Sequence, residues 1–251
     1  MRTHSSTRKG ERFFVPTTIR SLARQWLATL AILAAFAPMA AMAQTVTVTD
    51  FAGLQAAITA YRSATDDVII EVGESLTSTS TLGLTIYENT SGKTLTIRSA
   101  DPVNPVTLTP ISDYSLFNIY PDAKLIMENI IIDGGRIIVN GSFLMKDGTK
   151  IINSPEVGVS VSAYASNPIF TMEGGEISRN KGGVSVGGGS FIMTGGKISG
   201  NTATGNGGGV YVSGSGTLTF GGTAVISGNT NNSGETSNVY LSYDKYITLI
   251  T

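Results

Sequence analysis

Residues 169–180 read IFTMEGGEISRN, and residues 190–201 read SFIMTGGKISGN. Each copy holds a short alternating run, a Gly-Gly pair, a second short run containing Ile-Ser, and an Asn. The Asn follows ten residues after the first Phe, at Asn180 after Phe170 and at Asn201 after Phe191. A repeat of this size, with strand-like alternation and no helical period, indicates a β-solenoid whose coils stack on one another.

Further copies of the first run extend the repeat in both directions. They begin at residues 95, 125, 143, 218 and 247, so that successive starts are 30, 18, 27, 21, 27 and 29 residues apart. Side chains two residues apart on a strand face the same side, and we expect the Phe and Met positions to face inward. Stacked coils would then form one inner column of Phe143, Phe170, Phe191 and Leu218 and another of Met145, Met172, Met193 and Phe220.

Each clear coil is predicted to hold three strands. The first is the Phe-x-Met run, the second carries a central Ile, and the third is a short Val-rich run. The repeats are clearest over residues 142–251. The second strands are expected around Ile151, Ile177, Ile198 and Ile226, and the third at Val157–Val161, Val184–Val186, Val210–Val212 and Val239–Leu241.

The Asn that ends each second run is predicted to be structural. An amide in the same corner of every coil can bond the backbone and the amides above and below it. Gly200 and Gly228 precede two of these residues and permit the left-handed backbone of a sharp corner. The predicted ladder consists of Asn153, Asn180, Asn201 and Asn229.

The N-terminal part of the repeat region, residues 44–66, is predicted to be a cap. Residues 45–49 read as an opening strand, and Asp50 can cap a helix that continues to about Tyr61. The helix would cover the open end of the solenoid with one apolar stripe of Phe51, Leu54, Ala57, Ile58 and Tyr61. Strands are then expected at 67–72, 82–87, 94–98, 124–133 and 136–140, and loops at 75–81 and 101–110.

The first 43 residues are predicted to be a secretory signal peptide. Six basic residues precede an apolar run at 26–37, and Ala41-Met42-Ala43 offers an A-x-A cleavage site. The leader holds six of the 17 basic residues and one of the 18 acidic ones, so the remainder has a net charge of −6. That charge, without a basic run, argues against nucleic-acid binding. No membrane span is expected after processing.

Residues 44–251 contain neither Cys nor His, because the single His is His4. This composition excludes disulfides, a Ser-His-Asp triad and metal sites built on His or thiolate ligands. No cofactor is expected.

The repeats with Gly-Gly-x-Ile-Ser-Gly-Asn and Phe-x-Met resemble those of bacterial surface proteins built on a right-handed parallel β-helix. They are similar to adhesin-like and polymorphic outer-membrane-protein passengers, which share the pectate-lyase-like fold. The resemblance covers about residues 45–251 and implies an all-β, single-stranded right-handed parallel β-helix. It also implies secretion or display at the cell surface or outer membrane of a Gram-negative-type bacterium, with a non-enzymatic role as an adhesin-like or structural envelope protein.

An enzyme is the alternative function, because the same fold hosts polysaccharide lyases and glycosidases. Such enzymes need clustered carboxylates, which act as acid and base or as calcium ligands, often with Arg or Lys nearby. The candidates are Asp133, Asp147, Glu173 and Glu176, with Lys146, Lys150 and Arg136 as possible neighbours, although a solvated exterior of mixed charge explains them equally well.

Candidate binding residues are tyrosines of the last third strands. Tyr211 and Tyr240 are central in consecutive third strands and are followed by Tyr243 and Tyr246. Exposed tyrosine pairs can stack on sugar rings or protein partners, although simple cross-strand stacking is the alternative explanation. Glycans or cell-surface proteins are therefore the expected partners. End-to-end association through the C-terminal coil is a further expectation, because residues 247–249 read as an uncapped strand.

Overall fold

The computed structural model describes residues 43–78, 80–111, 115–162 and 167–250, which form one compact unit. The predicted leader, apart from Ala43, lies outside the described residues. Three long sheets run through this unit, and every strand pair within them is parallel. The chain visits the sheets in turn, first, second and third, and completes seven such coils before the last strand. The all-β solenoid predicted from the repeats is thus confirmed.

The first sheet has nine strands and contains the Phe-x-Met runs. Phe143, Phe170, Phe191 and Leu218 are in register and buried, as predicted. The three Phe rings stack, with centroids 5.0 Å apart between Phe143 and Phe170 and 4.8 Å apart between Phe170 and Phe191. The strands are β1 (Gln44–Val48), β2 (Val68–Val72), β5 (Leu95–Ser99), β8 (Lys124–Glu128), β11 (Ser142–Met145), β14 (Ile169–Met172), β17 (Ser190–Met193), β21 (Thr217–Gly221) and β25 (Ile247–Ile250).

The second sheet has seven strands and contains the Ile column. Ile151, Ile177 and Ile198 are fully buried, whereas Ile226 in the last coil is only half-buried. The strands are β3 (Leu76–Thr77), β6 (Thr107–Thr109), β9 (Ile131–Asp133), β12 (Lys150–Ile152), β15 (Glu176–Ser178), β18 (Lys197–Ser199) and β22 (Val225–Ser227).

The third sheet also has seven strands, and its inner side is mostly Val. A short fourth sheet joins β19 (Thr202–Ala203) to β23 (Thr230–Asn231) at the corner between the second and third sheets. The strands of the third sheet are β4 (Leu84–Ile86), β7 (Ser115–Ile119), β10 (Arg136–Val139), β13 (Val159–Val161), β16 (Val184–Val186), β20 (Val210–Val212) and β24 (Val239–Leu241).

One helix, α1 (Phe51–Tyr61), follows β1 among the described residues. Asp50 is its N-cap, and its Oδ1 accepts a hydrogen bond from the Gly53 amide at 2.6 Å. The buried face of α1 consists of Phe51, Leu54, Ile58 and Tyr61, which belong to the same apolar core as the strands. The predicted helix is confirmed, and its apolar stripe packs as expected. It is not long and apolar enough to span a membrane, and no other helix occurs in the described ranges.

Several predicted boundaries in the first half were wrong. The predicted loops at 75–81 and 101–110 contain β3 and β6, and the predicted strand at 124–133 is two strands, β8 and β9. Strand β7 was not predicted. Strands β6 and β7 were not recognised because prolines are frequent before and between them. Proline cannot donate a hydrogen bond to a β-ladder, but it is tolerated at strand ends.

The amide ladder joins Asn180, Asn201, Asn229 and Asn238. The Nδ2 atom of each of the first three donates to the Oδ1 of the next, at 3.0, 2.9 and 3.1 Å. The first three side chains are also buried, with at most 3% exposure, and their amides reach carbonyls of the coil below. Asn180 and Asn201 therefore each link three coils, whereas Asn229 bonds to the coil below and to Asn238, which precedes β24 in its own coil.

Asn153 is not part of this ladder, which corrects the prediction. The turn after β11 has one residue more than the turn after β14, since Phe143 pairs with Phe170 but Lys150 pairs with Glu176. The ladder position of that coil therefore falls on Ser154, whose amide donates to Asn180 Oδ1 at 2.8 Å. Asn153 is exposed and occupies the preceding left-handed corner with φ 55°.

Candidate functional site

The third sheet carries one continuous outward column. The β-strand register aligns the central residues of its seven strands, and two of them, Tyr211 and Tyr240, are aromatic. Their rings stack with centroids 5.4 Å apart and planes 6° from parallel. In chain order the column is Thr85, Asn118, Ile138, Ser160, Ser185, Tyr211 and Tyr240.

A cleft of about 460 Å³ lies beside this tyrosine pair. It is lined by Tyr211, Tyr240, Ser185, Lys181 and the loop 204–207 between the second and third sheets. Gly207 lets this loop lie close to the strand at Tyr211, because its φ is 78° and a Cβ there would lie 2.9 Å from the Cβ of Tyr211. The cleft thus combines an aromatic wall with a hydroxyl, an ammonium group and polar loop atoms, the mixture that small-molecule sites use.

Tyr243 and Tyr246, the other two predicted binding residues, lie between β24 and β25. They are 91% and 75% exposed, and they do not line the cleft beside Tyr211. The structure therefore brings two of the four predicted tyrosines together.

A second tyrosine pair lies near the other end of the third sheet, and it was not predicted. Tyr87 and Tyr120 directly follow β4 and β7, are 44% and 40% exposed, and have ring centroids 4.8 Å apart. The guanidinium of Arg62, at the C-terminal end of α1, lies 5.1 Å from the centroid of the Tyr87 ring. This distance is within the range of a cation–π interaction.

An ion-pair column on the outer side of the first sheet was also missed. Arg98 Nη2 lies 2.7 Å from Glu71 Oε1, and Arg98 Nη1 lies 3.0 Å from Glu128 Oε1. The three residues are in register on β2, β5 and β8, so the charges alternate between neighbouring coils. The hydrogen bonds that Arg98 donates to Glu71, and then the one to Glu128, raise the pKa of Arg98. Both carboxylates are held by the same cation, and Asp147 lines the cleft beside them.

The four carboxylates predicted as catalytic candidates have different neighbours. Asp133 accepts a hydrogen bond from the Asn153 amide at 2.7 Å, and Asp147 packs so closely over Gly174 that a side chain there has no room. Glu176 is in register with lysines on both sides, and Glu173 lies in the turn after β14. Among the described residues, no three His, Cys, Asp or Glu side chains are grouped so that they could hold a metal ion.

Both tyrosine pairs lie on the outside of a solenoid of parallel strands, and this architecture agrees with the known family that the sequence matches. A family model described as a right-handed β-helix region matches residues 45–230. The comparisons with curated proteins and with solved structures give no match. The matched segment covers the first six coils and strands β21 and β22, and the parallel sheets have the topology of a β-helix. The chain therefore belongs to the right-handed β-helix family.

Proposed function

We propose that this chain is an exported, non-enzymatic β-helix protein of a Gram-negative-type bacterium, secreted or displayed at the cell surface or outer membrane. It has an adhesin-like or structural envelope role and binds a glycan through the outer side of its third sheet. The predicted leader and the resemblance to surface passengers support the export part of this proposal. The family supports the scaffold part, because solenoids offer long regular surfaces for binding.

The stacked pair of Tyr211 and Tyr240 carries the binding part of the proposal. Tyr240 is 37% exposed although its ring is stacked on its neighbour, so it has an open edge and face toward solvent. Tyrosine combines apolar contact area with a hydroxyl that donates and accepts, and this suits the alternating apolar and hydroxyl surfaces of a sugar. Ser185 and Lys181 supply further polar atoms in the same cleft.

The test replaces both tyrosines with serine and measures binding to a glycan array and to bacterial and host cells. Loss of two aromatic contacts should weaken binding by at least about tenfold, because aromatic anchors of this type contribute roughly 2 kcal/mol or more when buried by a partner. The fold should persist, since both rings lie outside the core. The matched control is Tyr243→Ser with Tyr246→Ser, which removes two exposed tyrosines outside the cleft.

Two results would contradict the proposal. One is equal binding by the parent protein and by the variant lacking Tyr211 and Tyr240. The other is cleavage of an acidic polysaccharide by the parent protein that disappears on replacing Glu71 or Glu128 with Gln. That second result would favour the polysaccharide lyase or glycosidase alternative and would place its chemistry at the Arg98 ion pairs.

A further inference from the structure

The cleft between α1 and the start of the third sheet has a lining unlike that beside Tyr211. It measures about 550 Å³, within the range of roughly 300–1,000 Å³ typical of ligand sites. Helix α1 contributes Gln55, Thr59 and Arg62, and the third sheet contributes Tyr87 and Asn118. Arg62 is the one charged side chain among the described residues that line it.

Arg62 is held in place without being neutralised. Its guanidinium lies over Tyr87, and no ion pair joins it to a carboxylate in the described part of the chain. Arg98 and Arg136, by contrast, are both paired with glutamates. A guanidinium stacked on an aromatic ring keeps its outer N–H groups free to donate in its own plane, and that geometry matches a carboxylate or sulfate group.

The neighbouring groups favour a sugar as the carrier of that anion. Tyr87 and Tyr120 form an exposed aromatic surface, and the outward amide of Asn118 accepts a hydrogen bond at 3.1 Å from Asn140, which keeps it oriented. Thr59, which lines the cleft, donates from Oγ1 to the Gln55 carbonyl at 2.8 Å, so the lone pairs of its hydroxyl remain available as acceptors. The cleft thus offers an aromatic ring face, polar atoms that can bond hydroxyls, and one cation without a carboxylate partner. The complementary ligand has an apolar ring face, hydroxyls and a negative charge.

We infer that this cleft binds an anionic sugar residue of a polysaccharide, with the acidic group on Arg62 and the sugar ring against Tyr87, whose neighbour Tyr120 extends the aromatic surface beyond the cleft. The site is separate from the Tyr211 pair. Tyr120 and Tyr211 follow or lie on strands four spacings apart, which is about 19 Å along the solenoid. The two sites can therefore be tested independently, and failure of one leaves the other standing.

The test uses the full exported protein and three tetrasaccharides: tetragalacturonate, a sulfated galactose tetrasaccharide and neutral galactotetraose. Binding of either acidic probe, measured by calorimetry at low salt, should be at least about tenfold tighter than binding of the neutral one. The first two probes distinguish a carboxylate from a sulfate as the preferred group. Binding should weaken with added salt, because the contact with Arg62 is electrostatic and exposed.

Arg62→Gln should reduce the affinity for the acidic probe about tenfold and leave the neutral probe unchanged. The matched control is Arg179→Gln, which removes an exposed arginine whose Nε donates to Asn153 at 3.1 Å at another corner. Thr59→Glu provides a second test that keeps the core intact, because it places a carboxylate one helical turn from Arg62 and should also abolish selectivity for the anion. The Tyr211 and Tyr240 double variant should retain the preference for the acidic probe.

Three outcomes would overturn the inference. They are equal affinity for acidic and neutral probes, an Arg62→Gln variant that binds the acidic probe as the parent does, and a parent protein that binds none of the three. Loss of binding in the Tyr211 and Tyr240 variant alone would instead assign the anion to the other cleft.

Discussion

Replacing Asn201 with Ala would remove the central member of the amide ladder. Its Nδ2 donates to the Ile177 carbonyl at 3.0 Å and to Asn229 Oδ1 at 2.9 Å, and its Oδ1 accepts two hydrogen bonds from Asn180 at 3.0 Å each. The side chain is fully buried, so water cannot replace these partners without a cavity. We therefore expect a large loss of stability from the removal of one uncharged polar side chain.

The magnitude follows from which groups lose their partners. The backbone N–H of Asn180 loses its acceptor and the Ile177 carbonyl loses one donor, whereas Asn229 Oδ1 and the Asn180 side chain each keep another hydrogen bond. A buried polar group left unpaired costs about 1–3 kcal/mol. One orphaned N–H and three groups that each lose one of their hydrogen bonds give roughly 2–4 kcal/mol of lost unfolding free energy.

The control is Asn153→Gly. Asn153 was predicted to be equivalent to Asn201, but it is exposed, makes two exposed hydrogen bonds, and has a φ of 55° that glycine adopts readily. This change should cost at most about 1 kcal/mol. Gly200 and Gly228 already occupy the same corner in later coils, with φ 66° each.

The assay is urea unfolding followed by far-ultraviolet circular dichroism, combined with hydrogen exchange. Unfolding of a long repeat array need not be two-state, so the exchange rate of the Asn180 amide serves as a local measure. That rate should rise strongly in Asn201→Ala and remain unchanged in Asn153→Gly. Equal losses of stability in the two variants, or an unchanged Asn180 exchange rate in Asn201→Ala, would refute the reasoning.

Phe191→Asp should lower the free energy of unfolding by at least several kcal/mol, because it buries an unpaired charge in the Phe stack, whereas Thr219→Asp on the outer side should lower it only slightly. Equal shifts in the thermal unfolding temperature would contradict the inward and outward assignments. Burial raises the pKa of Tyr61 to about 12 from its ordinary value of 10.0, so the contribution of its neutral hydroxyl to stability is complete below pH 10 and is lost as the pH rises toward 12. Tyr61→Phe should remove this decrease from a plot of unfolding free energy against pH, and an unchanged decrease would assign it to other groups. Leu249 is 74% exposed in the last strand of the first sheet, so Leu249→Lys should reduce any end-to-end association measured by sedimentation, whereas Val103→Lys, at an 80% exposed site elsewhere, should not reduce it. Association that persists in Leu249→Lys would exclude this surface.

The second half of the fold could be predicted because its repeat is regular. The third strands Val184–Val186, Val210–Val212 and Val239–Leu241 have the predicted bounds, and the Phe column is in the predicted register. Short alternating runs separated by Gly-Gly turns admit few other interpretations. The same regularity wrongly placed Asn153 in the ladder, because counting ten residues from Phe143 passes over a turn that is one residue longer, and Asn238 was missed because it lies outside the ten-residue spacing.

The first half was harder to predict because its coils lack the Gly-Gly signal. Strand β7 has no repeat motif of its own and is recognisable as a strand only through its parallel neighbours. Without β7, Tyr120 had no assigned place, so its contact with Tyr87 could not be inferred. Arg62 is 25 residues before Tyr87 in the sequence, and their contact depends on how α1 packs on the sheet, which no local pattern encodes. The candidate site near the last coils was found because both of its tyrosines lie within repeats.

The left-handed corner before the amide ladder has a consequence for how the solenoid is assembled. Five successive coils place Gly134, Asn153, Arg179, Gly200 and Gly228 there, all with φ between 55° and 87°, although a side chain such as that of Arg179 is costly in this conformation. The corner shape is therefore imposed by the adjoining coil, whose carbonyls and amides fix where the next chain segment must bend. We therefore expect each folded coil to act as a template for its neighbour, because it imposes on the added segment a corner shape that the segment would not adopt alone.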